Sequence, residues 1–175
     1  MRRSAIAAVL ALALSSCGYA LVGHGTLADP SIKRIGVPLF KDATGKPGLD
    51  QKITQKVIGE LLKRGKFEVV QDLTEVDAVV DGQLLTYRAD PVGFGAAAGT
   101  QAQTQANRYA VTLTAKVKYA KVGAAESIWE SESFSFRDEY DIGEAETFFD
   151  REDQAIERLS TNFAKGLVAA MLEAF

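Results

Sequence analysis

Cys17 is the only cysteine in the 175-residue chain, and its surroundings point to a covalent modification. Arg2 and Arg3 precede an apolar run over residues 5–14, and two serines stand directly before the thiol. A basic start, a short hydrophobic run and small residues at a cleavage point are the parts of a secretion signal. The apolar run is too short to cross a bilayer as a helix. The pattern predicts a bacterial lipobox: residues 1–16 are removed, and Cys17 carries acyl chains on its thiol and its new amino terminus.

The alternative is an ordinary signal peptide that is cleaved near Ser16 and leaves Cys17 as a free thiol. Acylation explains why an exported protein keeps a single cysteine. Several acyl chains would hold the protein on a membrane, because each buried methylene contributes about 0.8 kcal/mol. Gly18 stands where an aspartate would, by resemblance to enterobacterial sorting, favour retention in the inner membrane. We therefore expect a lipid anchor on the periplasmic face of the outer membrane.

Charge and length narrow the classes of protein to consider. The whole chain has 20 basic and 23 acidic residues, and loss of the signal would remove Arg2 and Arg3 and no acid. An acidic mature chain argues against nucleic acid as a partner, since phosphate backbones favour clustered Lys and Arg. A chain of this length can bury one hydrophobic core. We expect a lipidated amino terminus and linker over residues 17–31, followed by a single α/β domain over residues 32–175.

Hydrophobic periodicity predicts the elements of this domain. Apolar residues recur every three or four positions over residues 48–64 and again from Asp150 onward, which predicts two amphipathic helices. Content of β-branched and aromatic residues, or strict alternation, predicts strands over residues 32–40, 67–70, 78–88, 109–119 and 127–137. Pro38 indicates an edge or a bulge. The uncharged, low-complexity segment 95–107 predicts a long flexible hairpin tip.

The last predicted strand has an irregular alternation of side chains. Ile128, Phe134 and Phe136 fall on one side, and Trp129 falls on the other with Ser131, Ser133 and Ser135. Glu130 and Glu132 interrupt the apolar side. We therefore expect this end of the strand to be exposed or bulged.

Enzymatic sites find little support in the sequence. His24 is the only histidine and lies in the predicted linker, so a serine hydrolase lacks a base, and no Gly-x-Ser-x-Gly motif is present. Clusters of Cys and His for zinc are missing, as is a phosphate-binding loop. Asp138, Glu139 and Asp141 are hard oxygen ligands of the kind that calcium prefers, but their spacing matches no known loop. A solvated acidic surface is the simpler interpretation.

Binding residues are easier to propose. Lys116 and Lys118 share the polar face of one predicted strand, where they could meet the phosphates of an anionic lipid or act as ordinary solubilising charges. Trp129 and two other aromatic residues could line a partner surface or pack in the core. The candidate contact residues are Arg88, Arg108, Lys116, Lys118, Phe94 and Tyr109.

Short motifs along the mature chain resemble a known family. They are residues 17–23 (CGYALVG), 35–40 (IGVPLF), 47–49 (PGL) together with Thr44, 108–109 (RY) and 128–130 (IWE). On these residues the chain resembles the LptE (RlpB) family of lipopolysaccharide-assembly outer-membrane lipoproteins.

This resemblance implies both a fold and a function. The fold is α+β: a two-layer domain in which a four-stranded mixed β-sheet has two α-helices packed on one face. The implied protein is not an enzyme and needs no cofactor. It plugs the lumen of the outer-membrane β-barrel translocon LptD and helps that barrel to assemble, and so supports delivery of lipopolysaccharide to the cell surface. Lipopolysaccharide itself is a candidate ligand.

Two other functions remain open on the sequence. Small lipidated domains with a similar strand-helix-strand start activate peptidoglycan synthases, and a hydrolase with an unrecognised site is the third alternative. A penicillin-binding protein as partner would indicate the former, and activity sensitive to changes in the acidic run would indicate the latter.

Overall fold

The computed structural model describes residues 31–64, 67–96, 104–143 and 148–173. The predicted signal peptide, Cys17 and His24 lie outside the described residues. In chain order the elements are β1 (Arg34–Gly36), β2 (Lys41–Asp42), α1 (Leu49–Lys63), β3 (Glu68–Val70), β4 (Ala78–Ala96), β5 (Thr104–Lys121), β6 (Trp129–Asp141) and α2 (Phe148–Glu173). No helix in these ranges is both long enough and apolar enough to cross a membrane.

The strands form one open mixed sheet in the order β3-β1-β4-β5-β6, with β2 beside β4. β1 is parallel to β3 and to the start of β4, where Ile35 pairs with Ala78. β4, β5 and β6 form an antiparallel meander. The α+β class, the mixed sheet and the two helices are confirmed.

The expected number of four strands is wrong, because the described residues form six. Within the segment predicted as one strand over residues 32–40, only Arg34–Gly36 forms a strand, and the two-residue strand β2 follows directly after it at Lys41–Asp42. Pro38 lies between them and has no N–H to donate to a ladder, so pairing stops and resumes beyond it. β3 confirms the short strand predicted over residues 67–70 and lies at the sheet edge, where Glu68 N–H donates to Lys33 O at 2.8 Å.

The helix α1 connects the parallel strands β1 and β3. Its apolar stripe is fully buried and consists of Leu49, Ile53, Val57 and Leu61. Gly48 precedes it with φ of 76°, a left-handed conformation that glycine adopts without steric cost. A helix that joins two parallel strands must cross one face of their sheet. The helix predicted over residues 48–64 is confirmed.

The helix α2 packs beside α1 on the same face and covers β5 and β6. Its buried stripe includes Ile156, Leu159, Phe163, Leu167 and Met171. The Phe163 ring meets that of Phe134 on β6 edge-on, with centroids 5.3 Å apart. Glu157 forms ion pairs with Lys52 and Lys56 of α1, which join the two helices. The second predicted helix is confirmed.

A bulge in β6 changes which of its side chains share a face. Trp129 pairs with Tyr119, and Phe134 pairs with Ala115, with a register shift between these pairs. The bulge expected in this strand is confirmed. Trp129, however, lies on the same face as Phe134, with ring centroids 6.1 Å apart, so its assignment to the opposite face is wrong. Because side chains alternate, one extra residue moves everything beyond it to the other face.

The long hairpin of β4 and β5 extends farther than the sequence predicted. β4 continues to Ala96 and β5 begins at Thr104, so strands replace both ends of the tip predicted over residues 95–107. Residues 97–103 lie outside the described residues. Gly93 permits this close pairing, since a Cβ there would come within 2.8 Å of the Arg108 Cβ. We call residues 91–96 and 104–107 the hairpin arm.

Candidate partner-binding surface

The sheet face opposite the helices is polar. Hydrophobic residues of β5 alternate toward the helices, so the intervening residues and their cross-strand neighbours form the other side. Thr114 donates a hydrogen bond to Ser135 across two strands, with 3.3 Å between the oxygens. We call this surface the open face, and it is formed by Gln83, Arg88, Arg108, Thr112, Thr114, Lys116, Lys118, Glu130, Glu132, Ser135 and Arg137.

Two of the predicted contact residues are arginines paired with acids, Arg108 at the base of the arm and Arg88 nearer the middle of β4. Arg108 Nε donates to Asp141 Oδ1 at 2.7 Å, and this hydrogen bond with its charge raises the pKa of the guanidinium. Arg88 Nε lies 3.7 Å from Asp90 Oδ2. Both arginines are largely exposed, so these pairs contribute little stability. They do neutralise the charge that an anionic ligand would meet.

The two predicted lysines lie farther along β5. Lys116 Nζ is 2.6 Å from Glu132 Oε1, and the hydrogen bond to this carboxylate raises the pKa of the ammonium group. Lys118 is exposed and lies opposite Glu130 in the β5–β6 register. Among the described residues Lys118 forms no ion pair, and Glu130 instead accepts a hydrogen bond from Ser127 at 3.0 Å.

These four basic residues do not converge on one site. Arg108 and Lys116 are eight positions apart on one strand, which corresponds to about 26 Å at about 3.3 Å per residue. Arg88 lies opposite Thr112 in the β4–β5 register, four positions from Arg108 and four from Lys116, and only Lys116 and Lys118 are near neighbours, two positions apart on one face of β5. The open face is therefore a surface of compensated charge rather than a concentrated basic patch.

The two predicted aromatic contacts have different environments. Tyr109 faces the helices and stacks on Tyr140, with ring centroids 6.1 Å apart and an interplanar angle of 21°. Burial raises the pKa of Tyr140 to about 12. Phe94, in contrast, lies on the arm and exposes 62% of its surface, beside Val92 with 41%. Tyr109 contributes to packing at the base of the arm, whereas Phe94 is available to a partner.

Sequence reasoning missed a partly buried polar cluster between α2, the loop before α1, and β4. Glu152 of α2 is only 8% exposed, and its Oε1 lies 2.8 Å from Lys46 Nζ. The Tyr87 hydroxyl donates to the same oxygen at 3.2 Å, and burial together with Glu152 raises the pKa of that phenol. The cluster fastens the loop before α1 to α2 and β4. No local motif reveals it, because its members come from three distant segments.

A second missed feature is an open groove between the end of β6 and α2. Its volume is about 280 Å³, and it is lined by Glu139, Tyr140, Asp141, Arg151, Gln154 and Arg158. The helix residues recur at intervals of three and four, which is the one sequence signal that could have suggested it. Both signs of charge line the groove, so it favours no simple ion.

The carboxylates of the acidic run that was considered as a calcium site accept hydrogen bonds from arginines. Asp138 accepts a hydrogen bond from Arg158 Nε at 3.2 Å, and Asp141 accepts one from Arg108. Glu139 accepts one from Arg137 at 2.9 Å. Within the four described ranges, no group of three or more His, Cys, Asp or Glu side chains could hold a metal ion.

The family model for LptE, described as lipopolysaccharide-assembly, matches residues 32–171. The chain belongs to the LptE family. The match spans the described sheet and both helices apart from the last residues of α2, and it confirms the recognition made from the short motifs. At the level of the family, the protein acts in lipopolysaccharide assembly.

Solved structures similar to this LptE-family chain come from several bacteria. A protein from Xanthomonas campestris has a TM-score of 0.56 at 14% identity, over 82% of this chain and 85% of its own. Uncharacterized lipoprotein B from Nitrosomonas europaea has 0.54 at 9% identity, over 82% and 86%. A hypothetical protein from Chlamydia trachomatis has 0.54 at 8% identity, over 83% and 100%. At these identities the likeness establishes the fold alone. No curated protein matches the sequence significantly.

Proposed function

We propose that this LptE-family protein is a non-enzymatic plug and assembly factor for an LptD-type outer-membrane β-barrel, and that it supports delivery of lipopolysaccharide to the cell surface. The observation that carries the proposal is the family match over residues 32–171. The geometry is compatible with it. Most charged residues of the open face are paired with a nearby opposite charge, which suits surface complementarity better than chemistry on a small substrate.

The proposal includes the anchor that the sequence predicts. Residues 1–16 act as the signal peptide, Cys17 carries the lipid, and the folded domain hangs from residues 17–31 on the periplasmic face of the outer membrane. Such a linker reaches at most about 45 Å at about 3.3 Å per residue. A short tether keeps the domain at high effective concentration near its partner, so docking needs little intrinsic affinity.

The predicted contact residues enter this proposal unequally. Phe94 is exposed on the arm, and Lys118 has no ion pair among the described residues, so both can meet a partner or a lipopolysaccharide phosphate directly. The other three basic residues would have to leave their carboxylate partners before they could bind a phosphate; these are Arg88, Arg108 and Lys116. Tyr109 would act by supporting the base of the arm.

Co-purification tests the function. The full-length tagged chain is extracted from outer membranes in mild detergent, with Cys17→Ala as the variant that cannot be acylated. We expect the cognate LptD-type barrel to be recovered with the wild type and to be misassembled when the protein is depleted. Recovery without any barrel overturns the proposal.

The same extraction separates the alternatives raised by the sequence. A penicillin-binding protein in place of the barrel would indicate an activator of peptidoglycan synthesis. Hydrolytic activity that falls on substitution of Asp138 or Glu139 would indicate an enzyme. We expect neither result.

A further inference from the structure

We propose that the hairpin arm enters the lumen of the barrel partner and that Phe94 is its anchor, docking in an uncharged pocket of the lumen wall. This inference rests on the proposed function and deepens it, since it assigns insertion to one element of the fold. The remainder of the sheet, with its paired charges, would stay against more polar surroundings.

The first observation is that the arm projects beyond the sheet. β6 ends its pairing with β5 where Asp141 lies opposite Arg108, and the Ile142 N–H then donates to Asn107 O at 2.8 Å. The parallel strands β1 and β2 pair with β4 no farther than Leu84. Within the described residues, the two strands of the arm therefore pair with no other strand, and only Asn107 at the base of the arm accepts a backbone hydrogen bond from outside the hairpin. Six residues of β4 extend the arm by about 20 Å at about 3.3 Å per residue.

The second observation is the absence of charge. The sequence from Pro91 to Asn107 contains no Asp, Glu, Lys, Arg or His, although 25% of the whole chain is charged. Charge begins again at Asp90 and Arg108, immediately on either side. Solvent-exposed protein surfaces usually carry interspersed charges, whereas the centres of protein interfaces are depleted of them. The arm shares this lack of charge with interface centres, although it lies on an exposed hairpin.

The third observation is the side chain that the arm presents. Phe94 exposes 62% of its surface between two glycines, so no neighbouring side chain in the strand covers its ring. Exposed aromatic residues surrounded by uncharged groups are typical anchors, because they fill a partner pocket and exclude water from it. Val92 adds a second apolar side chain on the same strand.

The hydrogen-bonding groups of the arm's backbone indicate whether the arm inserts into a protein or into lipid. The outer edges of a two-stranded ribbon carry N–H and C=O groups without strand partners, and hydrocarbon offers nothing to bind them. Insertion into the bilayer core would leave these groups unsatisfied. The inner wall of a β-barrel is polar and supplies hydrogen-bonding side chains. The combination of free backbone edges and one aromatic anchor therefore fits a protein lumen.

The experiment compares two exposed apolar positions in the full-length, acylated chain, co-expressed with its cognate barrel. The test variant is Phe94→Ser, and the control is Val122→Ser, at the β5–β6 turn, where the wild-type valine is 60% exposed. We expect at least a ten-fold loss of recovered barrel for Phe94→Ser and no change for Val122→Ser. Equal thermal unfolding midpoints for both variants and the wild type would show that folding is unaffected.

Photo-crosslinking identifies the molecule that contacts Phe94. With p-benzoyl-phenylalanine at position 94 in growing cells, we expect an adduct with the barrel, and none from position 122. An adduct only with lipid, or only with a second copy of the chain, overturns the inference. So does full barrel recovery by Phe94→Ser, in which case the proposed function stands alone. Failure of the wild type to recover any barrel overturns both.

Discussion

The hairpin arm and the open face share the strands β4 and β5, and β6 completes the open face, yet the two surfaces differ in how their charges are arranged. On the open face, Arg108 and Lys116 each lie within 3 Å of a carboxylate oxygen. On the arm there is no charge from Pro91 to Asn107. Both of these ion pairs on the open face are exposed to solvent, which screens them, so they neutralise charge and contribute little to the stability of the fold. The sheet thus has one surface on which most charges are paired within the protein, and it has the arm, which carries no charge and is left for a partner.

The comparison predicts that the body of the domain and the arm respond differently to mutation, and the largest difference is expected in the core. Phe163→Ala should lower the free energy of unfolding by about 3–5 kcal/mol, because it removes a fully buried ring from beneath α2. Urea denaturation followed by circular dichroism measures this. A loss below about 1 kcal/mol would mean that α2 is not packed on the sheet as described.

A smaller effect is expected where the backbone of β4 meets the core. Gly82→Ala should cost about 1–3 kcal/mol, because its Cβ would overlap the ring of Phe40. The matched control is Gly59→Ala, in the middle of α1, where a Cβ meets nothing within 4 Å. That variant should gain up to about 1 kcal/mol, since alanine favours a helix more than glycine does. Equal effects of the two substitutions in the same denaturation assay would contradict the close approach of Phe40.

The ion pairs between the helices should give a weaker, pH-dependent effect. Lys56 and then Lys52 hold the pKa of Glu157 below its ordinary value of 4.5, so the stabilisation is present above that pH. It should disappear as the pH falls through the lowered pKa. Glu157→Gln should therefore lose about 0.2–1 kcal/mol at neutral pH, and the difference from wild type should close in acid.

Stability curves measured from pH 7 to pH 3 provide this test. Glu126→Gln serves as control, since Glu126 forms no ion pair in the described part of the chain. A constant difference between Glu157→Gln and wild type across the whole range would contradict the pairing.

The smallest effect is expected on the arm itself. Phe94→Ser should change the free energy of unfolding by no more than about 0.5 kcal/mol, because most of the ring is already in solvent. The measurement is again urea denaturation of the isolated protein. A loss of several kcal/mol would show that the arm belongs to the core and would remove the contrast between the two regions.

Local patterns in the sequence were sufficient for the helices and for β5. The stripe through Ile53 and Val57 and the alternation through Leu113 and Val117 depend only on neighbours along the chain, so they can be counted directly. The family motifs were likewise local and predicted the assignment correctly.

The register between neighbouring strands could not be predicted from such local patterns. The face of Trp129 depends on a bulge opposite Lys116, and the partner of Arg108 is 33 residues away. The buried Lys46–Glu152 pair also joins segments that only the folded chain brings together. The neutralising partners of the candidate residues and the position of Tyr109 against the core therefore required the three-dimensional structure.

The length of β4 gives the molecule a direction. Its first residue, Ala78, lies beside β1, where the described chain begins, and its last residue, Ala96, lies in the arm. The 19 residues of this strand separate the two ends by roughly 60 Å at about 3.3 Å per residue. The strand thus sets the distance between the end of the domain that follows the predicted linker and the end that carries the hairpin arm. A domain anchored near β1 would therefore hold its arm at the end farthest from the point of attachment.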